Sequence, residues 1–209
     1  MDYVSVLGLR LIEPLIDLVE TLESLRPQGE ENEVQCGRDE NGYSCSVIVL
    51  SALILESALN RTRYLRRDAT DTHVAEYLRV ICANPNLIQD VNEVFAIRDA
   101  IVHNHIWKAK IDPVAMKFIS PPKLIPGYGR KRFRDVLDRK TRLSRKLKLN
   151  LFPPKICRRD AYVALKAMGR ALEALEEIDS NYFPIRFEYV SFRHKPVRLP
   201  EVLNALPNG

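Results

Sequence analysis

The sequence predicts an all-α fold: a bundle of four or five helices with a basic irregular or β-containing insert before the last long helix. Three observations carry that expectation. Four long segments, residues 4–25, 43–67, 87–106 and 158–180, repeat apolar side chains at helical spacing. The second of these is apolar on every side of its axis, as the buried centre of a bundle is. Between residues 108 and 157 the helical pattern stops, and prolines, glycines and cationic residues take over. With 209 residues and 46% apolar content, the chain is long enough for one good core and short for two. A single domain over 1–209, with 108–157 as an insert inside it, is the expected organisation.

In chain order, residues 4–25 form a first helix, kinked or restarted at Pro14 and ending before Arg26 and Pro27. Residues 27–42 are polar, acidic and glycine-bearing, a loop. Residues 43–67 place Val47, Ile48, Val49, Leu50, Leu53, Ile54, Leu55 and Leu59 around one axis. Asp71 and Thr72 cap a shorter helix to Ala83, which Asn84 and Pro85 stop. Asn86 caps the next helix, which runs to about Trp107. Pro113, Pro121, Pro122, Pro126, Gly127 and Gly129 then punctuate an irregular segment. Residues 133–149 suit a short helix or two basic strands, and periodicity does not choose between them. Pro153 and Pro154 close the insert, and residues 158–180 resume an amphipathic helix through Leu165, Met168, Leu172 and Leu175. Finally, Phe183, Ile185, Phe187 and Tyr189 alternate with polar or proline positions, an edge-strand pattern.

Charge is divided unevenly along this chain. The net value is +5, yet residues 123–159 hold 14 Lys/Arg against two acids, Asp135 and Asp138. The remainder holds 18 Lys/Arg against 25 Asp/Glu. A basic block on a mildly acidic body is the footprint of a phosphate-backbone contact, and it is also what a solvated loop looks like. Tyr128 and Phe133 interleave with Arg130, Lys131, Arg132 and Arg134, a pattern suited to base stacking beside phosphate contacts. Those four cations are the candidate RNA-binding residues.

Other chemistries find little support. Cys36, Cys45, Cys82 and Cys157 lie far apart with no Cys-x-x-Cys pair, which points to buried thiols in a reducing compartment. No glycine-rich phosphate loop, His-Glu-x-x-His or nucleophile elbow occurs, so neither cofactor nor metal is expected. No basic region precedes an apolar run at the N-terminus. The longest apolar stretch, residues 47–59, is interrupted by Ser51, Glu56 and Ser57 and is short for a bilayer. The expectation is a soluble, cytoplasmic protein without a membrane partner.

Residues 98–107, Arg-Asp-Ala-Ile-Val-His-Asn-His-Ile-Trp, are where chemistry concentrates. On a helical wheel Leu87, Val91, Val94, Phe95, Ile101 and Val102 form an apolar stripe, with Arg98 near its middle and His105 beside it. Asp99 and His103, four apart, share a flank. An arginine facing a core is costly unless paired, and Glu56 is the acid inside the apolar helix 43–67. The two therefore meet between helices, or else Glu56 reaches solvent. Metal-free RNA cleavage needs a base for the 2′-hydroxyl, an acid for the leaving 5′-oxygen and a cation for the phosphorane. Histidine suits the first two tasks and arginine the third.

The arginine, four intervening residues and a histidine of Arg98 to His103 resemble the signature of the HEPN superfamily, small helical proteins of which many are metal-independent endoribonucleases. The resemblance covers about twenty residues of motif helix plus a compatible helix order. It implies that Arg98 and His103 are the catalytic pair, Asp99 the polar residue after the arginine, Asn104 an auxiliary contact, and Glu56 the acid that orients the arginine. It implies a homodimer whose two motif helices share one cleft, RNA as substrate, and a toxin or antiphage role with a cognate antitoxin or regulatory partner. Where some members carry a modifiable tyrosine two residues after the histidine, this chain has His105, so that mode of control is not expected. His105 is a second proton carrier or a satisfied core residue. The family also includes non-catalytic RNA-binding and protein-interaction modules, the alternative to an active nuclease.

Overall fold

Leu11 and Pro14 decide how the chain begins. In a computed structural model describing residues 7–26, 34–68, 72–103, 107–125, 131–178, 185 and 188–207, helix α1 (Leu7–Arg10) ends and α2 (Ile12–Ser24) restarts at once. The restart falls ahead of the proline rather than at it. Pro14 sits in the first turn of α2, where its missing N–H has no intrahelical partner to lose. Ile12, Leu15, Ile16, Val19 and Leu22 recur at three- and four-residue spacing and are all buried.

Helix α3 (Arg38–Leu65) starts before the apolar run because Asp39 and Glu40 suit a helix N-terminus. It packs against α2 and the later helices α4, α5 and α7, the placement its all-round apolarity predicts. By length and composition α3 could cross a bilayer, contrary to the reading of its sequence run as too short, and half of its most apolar window is buried inside the protein. Helix α4 (Val74–Ile81) is tied back to the end of α3 by Tyr77, whose hydroxyl donates to Asp68 at 2.6 Å. Asp71, expected to cap α4, lies outside the described residues.

Helix α5 (Pro85–Val102) is capped by Asn84, not Asn86. The Asn84 side chain accepts from the N–H groups of Asn86 at 3.0 Å and Leu87 at 3.2 Å, and Pro85 occupies the first helical position, where proline is favoured. Asn84 and Pro85 thus open this helix as well as closing the one before. The helix ends at Val102, short of Trp107. Trp107 instead opens strand β1 (Trp107–Asp112), its ring edge-on to Phe133 and Phe152 with centroids 6.1 and 5.6 Å apart. Packing with the insert outweighs the helical periodicity that led up to it.

Strand β2 (Lys117–Leu124) pairs antiparallel with β1. The Asp112 carboxylate accepts from Val114 and Ala115 N–H at 2.8 and 3.1 Å, a side-chain-made turn. Helix α6 (Lys131–Val136) follows, so the start of the basic stretch is helical, and two isolated bridges, Leu137 to Ser144 and Leu143 to Asn150, continue it. Helix α7 (Arg158–Ile178) returns to the bundle, and Glu40 of α3 accepts from its Arg158 at 3.0 Å. Strands β3 (Tyr189–Phe192) and β4 (Lys195–Arg198) form a second hairpin on α2. Its turn residues Arg193 and His194 have φ of 51° and 61°, the left-handed pair a two-residue hairpin turn demands, supplied here without glycine or asparagine. Helix α8 (Leu199–Ala205) closes against α7 where Gly169 leaves room for Leu203.

The all-α expectation therefore needs correcting. The described residues are about 61% helical and carry two antiparallel two-stranded sheets, a mixed fold that is mostly helix. Of the C-terminal strand pattern, Tyr189 is in β3, Ile185 is fully buried, and Phe183 and Phe187 lie outside the described residues. None of the four cysteines is in a disulfide, and all are half-buried rather than enclosed in the core. Burial pushes the Cys36 thiol up to about 12, and those of Cys45 and Cys157 up to about 11.

Candidate active site

The last two turns of α5 are almost wholly inside the protein: Val94, Phe95, Ala96, Ile97 and Ala100 have no exposed surface. Charged side chains placed there must find partners or destabilise the fold. Arg98, its side chain 13% exposed, lies between two acids. Its Nη2 is 3.5 Å from Glu56 Oε2 on α3, and its Nε is 3.3 Å from Asp99 Oδ1. The guanidinium carbon stands 5.2 Å from the Phe95 ring centroid, a cation–π distance. The meeting of Glu56 with Arg98 expected from their helix positions is present. The adjacent Asp99, which the sequence pairs only with His103, is the more deeply buried of the two acids, at 4% side-chain exposure against 28% for Glu56.

His103 caps the end of α5, and its backbone N–H donates to the Asp99 carbonyl at 3.0 Å. Its Nε2 lies 4.0 Å from Asp99 Oδ1, and the ring is 39% exposed. Asp99 thus faces the buried arginine and the accessible histidine with one oxygen. That oxygen and Arg98 Nε have no hydrogen bond of good geometry among the described residues, an uncommon state for groups so buried. Asn104 and His105, the other two candidate residues of the motif, lie outside the described residues.

Of the candidate RNA-binding cations, Arg134 is exposed on α6. Lys131 and Arg132 begin the same helix, with side chains outside what is described, as is all of Arg130. None of these cations is brought into contact with Arg98 or His103 by any described bond. Among the described residues, no three His, Cys, Asp or Glu side chains converge as a metal site would require.

Sequence reasoning missed three buried acids that organise the basic segment. Glu93, fully buried, accepts from Ser144 Oγ at 2.6 Å and from the N–H groups of Lys146 and Leu147 at 2.8 and 2.7 Å. Asp90 meets Lys146 Nζ at 2.8 Å and Arg170 Nη2 at 3.0 Å. Asp160 on α7 accepts from Asn150 N–H and Nδ2 and from Cys157 N–H, at 2.9, 2.8 and 3.0 Å. Burial pushes its carboxyl up, against these hydrogen bonds, which pull the other way. The signal was available: an acid within an apolar helical run, which singled out Glu56, also marks Glu93 between Val91 and Val94.

One cleft borders this constellation, a space of about 640 Å³ between α4, α5 and α6, with Asp99 among its lining residues. Comparison with protein-family models, curated proteins and solved structures returned no match.

Proposed function

We propose that this protein is a metal-independent endoribonuclease that works as a homodimer, with Arg98 and His103 as its catalytic pair. The observation that carries the reading is the connected set Glu56, Arg98, Asp99 and His103, an arginine fixed by two acids with a histidine at the solvent edge. In the reaction, one His103 removes the proton of the RNA 2′-hydroxyl, whose oxygen attacks the adjacent phosphorus. The 5′-oxygen leaves, taking a proton from the His103 of the second protomer, and a 2′,3′-cyclic phosphate remains. Asp99 orients His103, and Arg98 supplies positive charge to the phosphorane. A dimer is needed because one chain supplies one such histidine. Leu53 on α3 and Val102 on α5, 40% and 52% exposed, flank Glu56 and Arg98 with apolar surface that a second motif helix would cover.

A second reading rests on a specific observation. Among the described residues Arg98 forms ion pairs with two acids, Glu56 and Asp99, so within one chain its charge is already matched. That arrangement favours a non-catalytic RNA-binding module in which the arginine only holds α3 to α5. Incubation of wild-type protein with RNA in excess EDTA decides between the two. Cleavage with cyclic phosphate ends, lost in His103→Ala, supports the nuclease. RNA binding without cleavage supports the module. Light scattering at micromolar concentration tests the shared cleft: a strict monomer sinks it.

A further inference from the structure

The cleft between α4, α5 and α6 has the volume of a small-molecule site, about 640 Å³. Its floor is one face of α5, where Ile88, Asn92 and Asp99 follow at helical spacing. Glu76 and Arg79 of α4 form one wall, and Asp135 of α6 with Arg145 from the loop beyond it forms the other. Four of these, Glu76, Arg79, Asp135 and Arg145, are exposed and available to an occupant. Asp99 is 3% exposed, and its Oδ1 has no hydrogen bond among the described residues. Glu93, which lines the same cleft, is different: both its oxygens are used by Ser144, Lys146 and Leu147. The cleft thus combines a buried carboxylate oxygen that lies beside Arg98 without a hydrogen bond of good geometry and two cations, Arg79 and Arg145, from different elements.

The balance of charge selects the ligand. A simple anion would be held by Arg79 and Arg145 but repelled by Glu76 and Asp135. An apolar ligand would strip water from all four charges without replacing it. A ribonucleotide offers what each group needs. Its phosphate takes the arginines, its ribose hydroxyls and base amino groups donate to carboxylates, and its base has a flat face for Ile88 and an edge for the Asn92 amide. We propose that this cleft is a ribonucleotide-binding site. If the nuclease reading above holds, on which this part rests, the occupant is the nucleotide of the RNA next to the phosphodiester whose cleavage His103 assists by proton transfer. Asp99 joins the two, since it lines the cleft and lies 4.0 Å from the His103 ring.

The test uses the full chain and titrates it calorimetrically with each nucleoside 5′-monophosphate. A second arm uses a short oligoribonucleotide made uncleavable by a 2′-deoxy substitution. The variants are Arg145→Glu and Asn92→Leu, with thermal melts to establish folding. Arg145 is exposed and its backbone N–H to Val136 does not depend on the side chain. The expected result is saturable binding of at least one monophosphate, weakened roughly tenfold or more in folded Arg145→Glu, as loss of a charge-assisted phosphate bond requires. Asn92→Leu should change which base is preferred. Binding of the oligonucleotide, weakened alike by Arg145→Glu, assigns the site to RNA; binding of monophosphates alone assigns it to a free nucleotide. Absence of saturable binding in both arms, or binding that both folded variants leave unchanged, overturns the proposal. Wild-type protein that binds nucleotide but cuts no RNA removes the nuclease reading and leaves the site standing.

Discussion

Arg98 and Arg134 are the same side chain in opposite circumstances. Helix α5 holds its charges inside the protein and matches them: Arg98 with Glu56 and Asp99, Asp90 with Lys146 and Arg170, Glu93 with the 144–147 turn. The basic segment 123–159 keeps most of its cations at or near the surface, with 14 Lys/Arg facing two acids of its own. In the first region a charge is fixed in position, at the cost of desolvation. In the second it stays hydrated and acts at a distance, through the field it adds to its neighbours. The difference separates two kinds of mutational effect. Loss of an interior charge changes geometry and stability, while loss of a surface charge changes the attraction of a polyanion and little else.

The largest expected departure comes from the rim of α5. His103→Ala removes both the base and the acid of the shared cleft and should lower cleavage by at least about 10³-fold, since each such group contributes about 10²–10⁴-fold, with a melting temperature close to wild type. A loss of stability as large as that of a core mutant would place His103 with the structural charges. Next in size is Glu93→Ala, which strands the Ser144 hydroxyl and two N–H groups and should cost about 3 kcal/mol, read from urea unfolding. Arg98→Ala should cost about 2–3 kcal/mol in the same assay, because it leaves Asp99 buried and unmatched. Glu56 is less exposed to this penalty, since it reaches water, so Glu56→Gln should cost less. Equal losses for the two would break the claim that Asp99 is the partner that matters.

Smaller effects belong to the surface. Neutralising Arg130, Lys131, Arg132 and Arg134 together should leave unfolding within about 0.5 kcal/mol of wild type. In RNA binding, the slope of log K against log salt should fall by up to about 3, at roughly 0.7 per lost phosphate contact. An unchanged slope would return the segment to a solvated loop. The smallest effect concerns Asp160. Because burial raises its carboxyl in the folded chain, the folded state keeps that proton longer than the unfolded one. The stability contributed is present below the usual carboxylate range and is lost as pH rises above that range through the raised value. Asp160→Asn should therefore flatten the fall in stability above that range, and an unaltered pH profile would mean that the hydrogen bonds to Asn150 and Cys157 cancel burial.

Where helices bury themselves by their own periodicity, sequence and structure agree closely, as along α2, α3, α5 and α7. Along α5, helical spacing alone places Asp99 beside His103, and Arg98, set in an apolar stripe, meets Glu56. The features that periodicity does not announce share one cause. Trp107, Arg193 and His194 owe their conformations to partners distant in sequence or to turn geometry that their residue types do not announce. Trp107 leaves the helix to join Phe133 and Phe152. Arg193 and His194 turn left-handed while Arg193 meets Glu20 and Glu23 of α2. The partners of Glu93 lie some fifty residues further along, in a stretch with no helical signal of its own, and Asp90 pairs both with that stretch and with Arg170 on α7.

The acids that hold residues 144–150 belong to two different helices, Glu93 to α5 and Asp160 to α7. Neither helix alone can order that stretch, and α7 follows it in the chain. During synthesis the cationic segment therefore emerges before half of its anchors exist, and it takes its final shape only when α7 docks. The same arrangement sets the dynamics of the finished protein. The amides of Lys146 and Leu147 should exchange with solvent together, and the Asn150 amide with them, as one cooperative unit that opens when either helix shifts. This places the assembly of the basic surface late in folding, after the bundle that carries the motif has closed.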